Sequence, residues 1–178
     1  MLKFLIVGEN SIDKIPLIEI LSTYNNYFKV SKIFVTSEDD IKDKYHYLIS
    51  NEELNICYKN NAILFIKTII NNSYGVTLDS FYENNVIFMN TEDFNNISNK
   101  IFLSNNELII IWLDSKDHDP LRIKKEIRES TYLLDKIEND NLKYMYFLDK
   151  DYNEVCQIII DYINSDENNR KCLLENNS

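Results

Sequence analysis

The segment Leu2–Val7 is an apolar run that stops at Gly8, and it constrains the chain more than any other stretch. Apolar runs of this length, bounded by a turn residue, suit a strand buried on both faces, and such strands belong to parallel sheets. Val86–Met89 and Leu108–Leu113 have the same character, and Met145–Leu148 reads as a further strand. Parallel strands need crossover connections long enough for a helix. The sequence supplies them. Lys14–Tyr24 carries Ile15, Leu17, Ile18 and Leu21 at helical spacing, with Pro16 in the first turn, where a missing N–H does no harm. Asp119–Glu138 is the longest helical pattern, and Asp151–Ile163 is an amphipathic helix. The order predicts an α/β fold of three layers around a mainly parallel central sheet.

Between the first and second buried strands the pattern changes. Phe28–Val35 reads as a strand, Ser37–Lys44 as a charged loop and Tyr45–Ile49 as a short strand. Ser50 reads as an N-cap, with Glu53 completing a capping box for a helix to about Tyr58. Ala62–Ile70 is β-branched and apolar, Asn71–Gly75 reads as a turn, Thr77 caps a short helix to Glu83, and Thr91 caps another. The expected organisation is a core of residues 1–35 and 85–164, a small mixed α/β insertion over 36–84 and a flexible tail over 165–178. A chain of 178 residues that is 44% hydrophobic has enough apolar surface for one such domain.

Charge narrows the function. The net charge of −10 disfavours a phosphate backbone, and the lysines are scattered among acids, so no nucleic-acid partner is expected. Cys57, Cys156 and Cys172 lack metal-ligand spacing and read as reduced thiols. No apolar run reaches the roughly 18 residues of a membrane helix, so no membrane partner and a cytoplasmic location are expected. No metal site is assigned. Glu9 with Asp13 reads as a solvated pair, and His118, among Asp114, Asp117 and Asp119, as a solvated helix start. His46, between Tyr45 and Tyr47, is expected to face away from them and receives no chemistry, while Trp112 is expected in the core.

A strand, Gly8, five residues, Lys14 and a helix form the layout of a P-loop, G-x-x-x-x-G-K-[ST]. Here the loop reads Gly8-Glu9-Asn10-Ser11-Ile12-Asp13-Lys14-Ile15. Gly8, Asn10, Ser11 and Lys14 are the nucleotide-binding candidates. Asp13 replaces the second glycine and brings a carboxylate to the phosphate site, while Ile15 replaces the hydroxyl that would hold Mg²⁺. An ordinary strand–loop–helix with a solvated lysine fits the same residues. A bacterial receiver domain fits poorly, because no aspartate ends the third strand in the required place and the insertion has no counterpart there.

Further motifs, in order along the chain, point to one family. Val30-Ser31, then Tyr45-His46-Tyr47-Leu48-Ile49-Ser50, resembles the monophosphate-binding insertion of guanylate kinases. Asn72-Ser73-Tyr74-Gly75-Val76-Thr77 is similar to the family's N-Y-Y-G-[ST] turn, and Val86–Asn90 to its I-L-D-I-D strand. Leu108–Leu113 resembles the next strand, and Tyr146–Asp151 the closing strand and turn before the last helix. The resemblance covers about residues 2–164.

It implies a monophosphate pocket at Ser31, Tyr45, Tyr74, Gly75, Thr77 and Asn90, with Lys14 as a vestigial catalytic candidate. The family's two phosphate-binding arginines fall near Val35 and Glu38, its guanine-reading glutamate near Phe65 and its aspartate at Asn90. No arginine precedes Arg122, so only Arg122 or Arg128 is available as a lid arginine, with Arg128 the weak catalytic candidate. The sequence therefore leads to a guanylate-kinase-like protein with a degenerate phosphate loop, a non-catalytic binding or regulatory module whose partner is a protein or an unidentified small molecule. The alternative is a divergent nucleoside monophosphate kinase, and only that reading brings ATP and Mg²⁺ as cofactors.

Overall fold

The computed structural model describes residues 2–9, 12–24, 27–41, 43–94, 108–115, 142–148 and 150–165, with the backbone alone at 142–144. Two sheets organise them. The first is parallel throughout, in the order β6-β1-β7-β8, where β1 is Lys3–Gly8, β6 Val86–Met89, β7 Leu108–Asp114 and β8 Leu142–Leu148. The apolar runs lie where their chemistry requires: Leu5 pairs with Ile87 on one side and Ile110 on the other, and all three are fully buried. Helix α1 (Ile15–Tyr24) returns Leu17, Ile18 and Leu21 to this core. It packs against the closing helix α4 (Tyr152–Ser165), which contributes Val155, Ile159 and Ile163. Asp151 caps α4, accepting from the backbone N–H of Asn153 at 2.9 Å. The architecture is the expected α/β fold with a parallel central sheet and a second, mixed sheet. The expected helix over 119–138 and the tail over 165–178 lie, apart from Ser165, outside the described residues.

The second sheet has the order β3-β2-β5-β4, with β2 Ile33–Val35, β3 His46–Leu48, β4 Ile63–Ile69 and β5 Asn72–Thr77. The apolar stretch Phe28–Val35 serves both sheets. Val30 bridges to Val86 of the first, and β2 then joins the second, parallel to β3 and antiparallel to β5. Helix α2 (Asn51–Lys59) opens on the expected capping box: Ser50 Oγ accepts from the Glu53 N–H, and Glu53 accepts from the Ser50 N–H. It closes on a Schellman motif. Asn61 takes the left-handed conformation at φ 53°, its N–H donates to the Tyr58 carbonyl at 3.1 Å, and the Ala62 N–H donates to the Cys57 carbonyl at 2.9 Å. Thr77 caps α3 (Leu78–Glu83), as its hydroxyl predicts.

Two local expectations change. Asn71–Gly75 is not a turn: β5 begins at Asn72, and the two-residue connection is Ile70-Asn71, with Ile70 at φ 59°. Gly75 sits in mid-strand, and neither glycine has a positive φ. Its need is for space, since a Cβ there would lie 2.2 Å from the Phe65 carbonyl oxygen and 2.8 Å from Phe34 Cζ. The helical turn at 91–94 is capped by Asn90, one residue earlier than expected: Asn90 Oδ1 accepts from the Asp93 N–H at 2.7 Å.

Lys3, inside the apolar strand, is fully buried. Its ammonium donates to the Phe81 carbonyl and, at 2.8 Å, to the Asn84 carbonyl, and it lies 4.5 Å from the Phe81 ring centre. It thus serves the carboxyl end of α3, where carbonyls lack intrahelical donors.

Candidate functional site

The two sheets enclose a cleft of about 820 Å³. Lys14 lies at its core end, beside Asn90 and Asp93 that follow β6. Tyr74 of β5 and the hairpin residues Ile69–Ser73 form the insertion side, and His46 of β3 and Asp40 complete the polar lining.

Lys14 is positioned by the loop that precedes it. Gly8 ends β1, and a Cβ there would stand 3.3 Å from Lys14 Cε and 3.0 Å from the Leu113 carbonyl, so the missing side chain gives the lysine its path. The Asp13 carboxylate accepts from the Ile15 N–H at 3.0 Å and turns the chain into α1. Tyr152 donates its hydroxyl to the Asp13 carbonyl, tying α4 to the loop. Lys14 is buried, not solvated. Its Nζ donates to the Glu9 carbonyl at 2.8 Å and the Ile12 carbonyl at 3.2 Å. Burial lowers its pKa to about 8, against the pull of Asp13, Asp93 and Glu9.

Asp93 faces this lysine's side of the cleft and is 2% exposed. Tyr74 donates its hydroxyl to Asp93 Oδ2 at 3.2 Å. Burial pushes the Asp93 carboxyl upward, opposed by Lys67, the Tyr74 hydroxyl and Asn90. Burial also raises the Tyr74 phenol, and the Asp93 charge adds to it. Beside this pair Lys67 of β4 forms an ion pair with Glu92. Two contacts therefore join the insertion hairpin to the helical turn at 91–94.

Of the residues singled out from sequence, Lys14, Tyr74 and Asn90 meet in the cleft. Ser31 is buried away from it, its Oγ 2.8 Å from Ser80 Oγ. Tyr45 is buried with its ring edge-on to Phe88 at 6.0 Å, while the cleft-lining member of that strand is His46, bonded to Asp43 at 2.8 Å. Thr77 caps α3 and Gly75 packs within the sheet. Asn10, Ser11, Arg122, Arg128 and His118 lie outside the described residues. Sequence reasoning missed Asp93, although Asn90-Thr91-Glu92-Asp93 carries the cap-then-acid spacing of a helix start, which places the acid at a helix N-terminus beside β6. Among the described residues no group of three or more His, Cys, Asp or Glu side chains is placed to hold a metal ion, and no helix is long and apolar enough to cross a membrane. Cys57 and Cys156 are free thiols.

The described residues have a guanylate-kinase-like α/β fold. It superposes on the crystal structure of guanylate kinase from Anaplasma phagocytophilum with a TM-score of 0.53 at 13% identity, covering 92% of this chain and 85% of that one. No family model and no curated protein matches the sequence.

Proposed function

We propose that the chain is a guanylate-kinase-like binding or regulatory module that keeps the cleft of the fold and has lost most of its phosphate chemistry. The observation that carries this reading is the state of Lys14. The lysine that stands at the phosphate-loop position is buried and turned onto the carbonyls of Glu9 and Ile12. The rest of the cleft supports it: among the described residues its lining holds the carboxylates Asp40 and Asp93 and no arginine. A charge-assisted hydrogen bond is worth roughly 1.5–3 kcal/mol. The absence of two arginines from the family's positions removes about 3–6 kcal/mol of monophosphate binding, or roughly 10²–10⁴ in affinity. Transfer chemistry suffers as well, because it depends on positioning and on neutralising charge. Ile15 occupies the place of the hydroxyl that would ligate Mg²⁺, so the residues present do not fit a nucleotide-bound metal there. The ligand is then a protein or an unidentified small molecule, in the cytoplasm.

A second reading, a divergent nucleoside monophosphate kinase, is favoured by one observation: Lys14 keeps its place at the cleft, with Asn90 beside it. Thermal shift with Mg-ATP, Mg-ADP, GMP and dGMP separates the two. A ligand at a hundred times its dissociation constant stabilises by about 2.7 kcal/mol, an unmistakable shift in a domain of this size. The module reading expects no shift at millimolar ligand, and stabilisation by a nucleotide would turn the assignment toward the kinase.

A further inference from the structure

Lys14 and Tyr74 are side-chain donors of the cleft lining, one on each side of it, and both are already bonded within the protein. Lys14 Nζ donates to two loop carbonyls, and the Tyr74 hydroxyl donates to Asp93. Asp93 is more than nine-tenths buried, lines the cleft and is fixed by its backbone, whose N–H donates to Asn90 Oδ1 at 2.7 Å. Lys67, a cation of the insertion side that acts on Asp93, is committed to Glu92. A buried carboxylate at the Tyr74 phenol thus takes the place an entering anion would occupy and repels it at short range, where little water screens the two charges.

We infer that Asp93 is the specificity gate of this cleft: its carboxylate, held by Tyr74, excludes phosphate-bearing ligands and admits ligands that bring an uncharged or cationic donor group to the same point. The inference rests on reading the cleft as a ligand site, and it names the class of ligand that site refuses. The raised pKa of the Asp93 carboxyl agrees with a charge held in a partly desolvated position. The gate belongs to this chain's own residues, Asp93 with Tyr74 and Asn90, and not to the missing arginines. Returning an arginine elsewhere in the cleft would therefore leave it in place.

Calorimetric titration of the full chain with sulfate, a dianion at every working pH, tests the gate, with inorganic phosphate in parallel. The wild type and Asp93→Glu, which keeps the charge, are expected to bind neither at millimolar concentration. Asp93→Asn, which keeps the shape and removes the charge, is expected to bind sulfate at least about tenfold more tightly than the wild type. Adding Tyr74→Phe to Asp93→Asn should abolish that gain. If Asp93→Asn does not fold, Asp93→Ser replaces it, because the Asn90 cap uses the backbone N–H and survives. Equal sulfate affinity in the wild type and the neutral variant, no binding by either, or a gain that persists without the Tyr74 hydroxyl overturns the proposal. Nucleotide turnover by the wild type would overturn the module reading instead and leaves the sulfate comparison as a separate result.

Discussion

Two buried lysines show how single residues set both stability and chemistry. Lys3 and Lys14 each have a pKa lowered to about 8 by burial. An unfolded lysine titrates near 10.4, so between about pH 8 and 10 the unfolded chain binds more protons than the native one. Stability from these two groups therefore rises with pH across that window and is flat below it. Above about pH 10 the tyrosines act in the opposite direction. Tyr146, beside Asp114, is pushed up to about 12 by burial and then by that carboxylate, and so keeps its proton in the fold while the unfolded chain loses it. Urea unfolding at pH 7.5 and 9.5 should show the rise. Lys3→Met should cost about 1–3 kcal/mol at pH 7.5 by leaving the Phe81 and Asn84 carbonyls without their donor, and the pH dependence should flatten with it. A variant as stable as the wild type with an unchanged pH profile would contradict this role. The same physics bears on the cleft, where Lys14 carries less positive charge as pH passes 8 and becomes a still weaker anion site.

At the scale of elements, the close approach of β4, β5 and β2 depends on Gly75. A methyl group there meets the Phe65 carbonyl, Phe34 Cζ and Ile66 Cα, all within 3.0 Å, and two of those three are backbone atoms that give little. Gly75→Ala should destabilise by about 1–3 kcal/mol or more. Gly8→Ala should cost less, because the flexible Lys14 side chain is one of the two atoms it crowds most. Denaturant midpoints for the pair check the order, and a Gly75→Ala midpoint at the wild-type value would refute the packing argument. These positions also mark what was legible in the sequence. The buried strands, α1, the Ser50–Glu53 box and the Thr77 cap follow from local chemistry, and each forms as read. Gly75 reads as part of a turn because a glycine among Asn, Ser and Tyr has turn chemistry. The actual turn, Ile70-Asn71, places a β-branched residue at φ 59°, which local preference argues against. Phe28–Val35 reads as one strand because its apolar pattern does not record the passage from one sheet to the other. The spacing Asn90–Asp93 marks Asp93 as a helix-start acid but not as a cleft residue, since that role depends on Tyr74 arriving from a strand 19 residues away.

For the whole molecule, the likeness to guanylate kinase at 13% identity establishes the fold and leaves activity to the residues of this chain. Those residues form a cleft in which two donors are spent internally: Lys14 on the carbonyls of its own loop, Tyr74 on Asp93. The expected consequence is a guanylate-kinase-like fold without efficient phosphoryl transfer, held together by a core that runs from Leu5 and Ile110 in the first sheet to Phe65 and Val76 in the second, with a smaller cluster of Phe34, Ile49 and Leu54 beside it. The most direct test is a coupled ADP-release assay of the full chain with Mg-ATP and GMP, run beside Lys14→Ala. The account predicts no release above the protein-free blank for either protein. Release by the wild type that disappears in Lys14→Ala would contradict it, because that lysine would then be working on phosphate and not on its own loop.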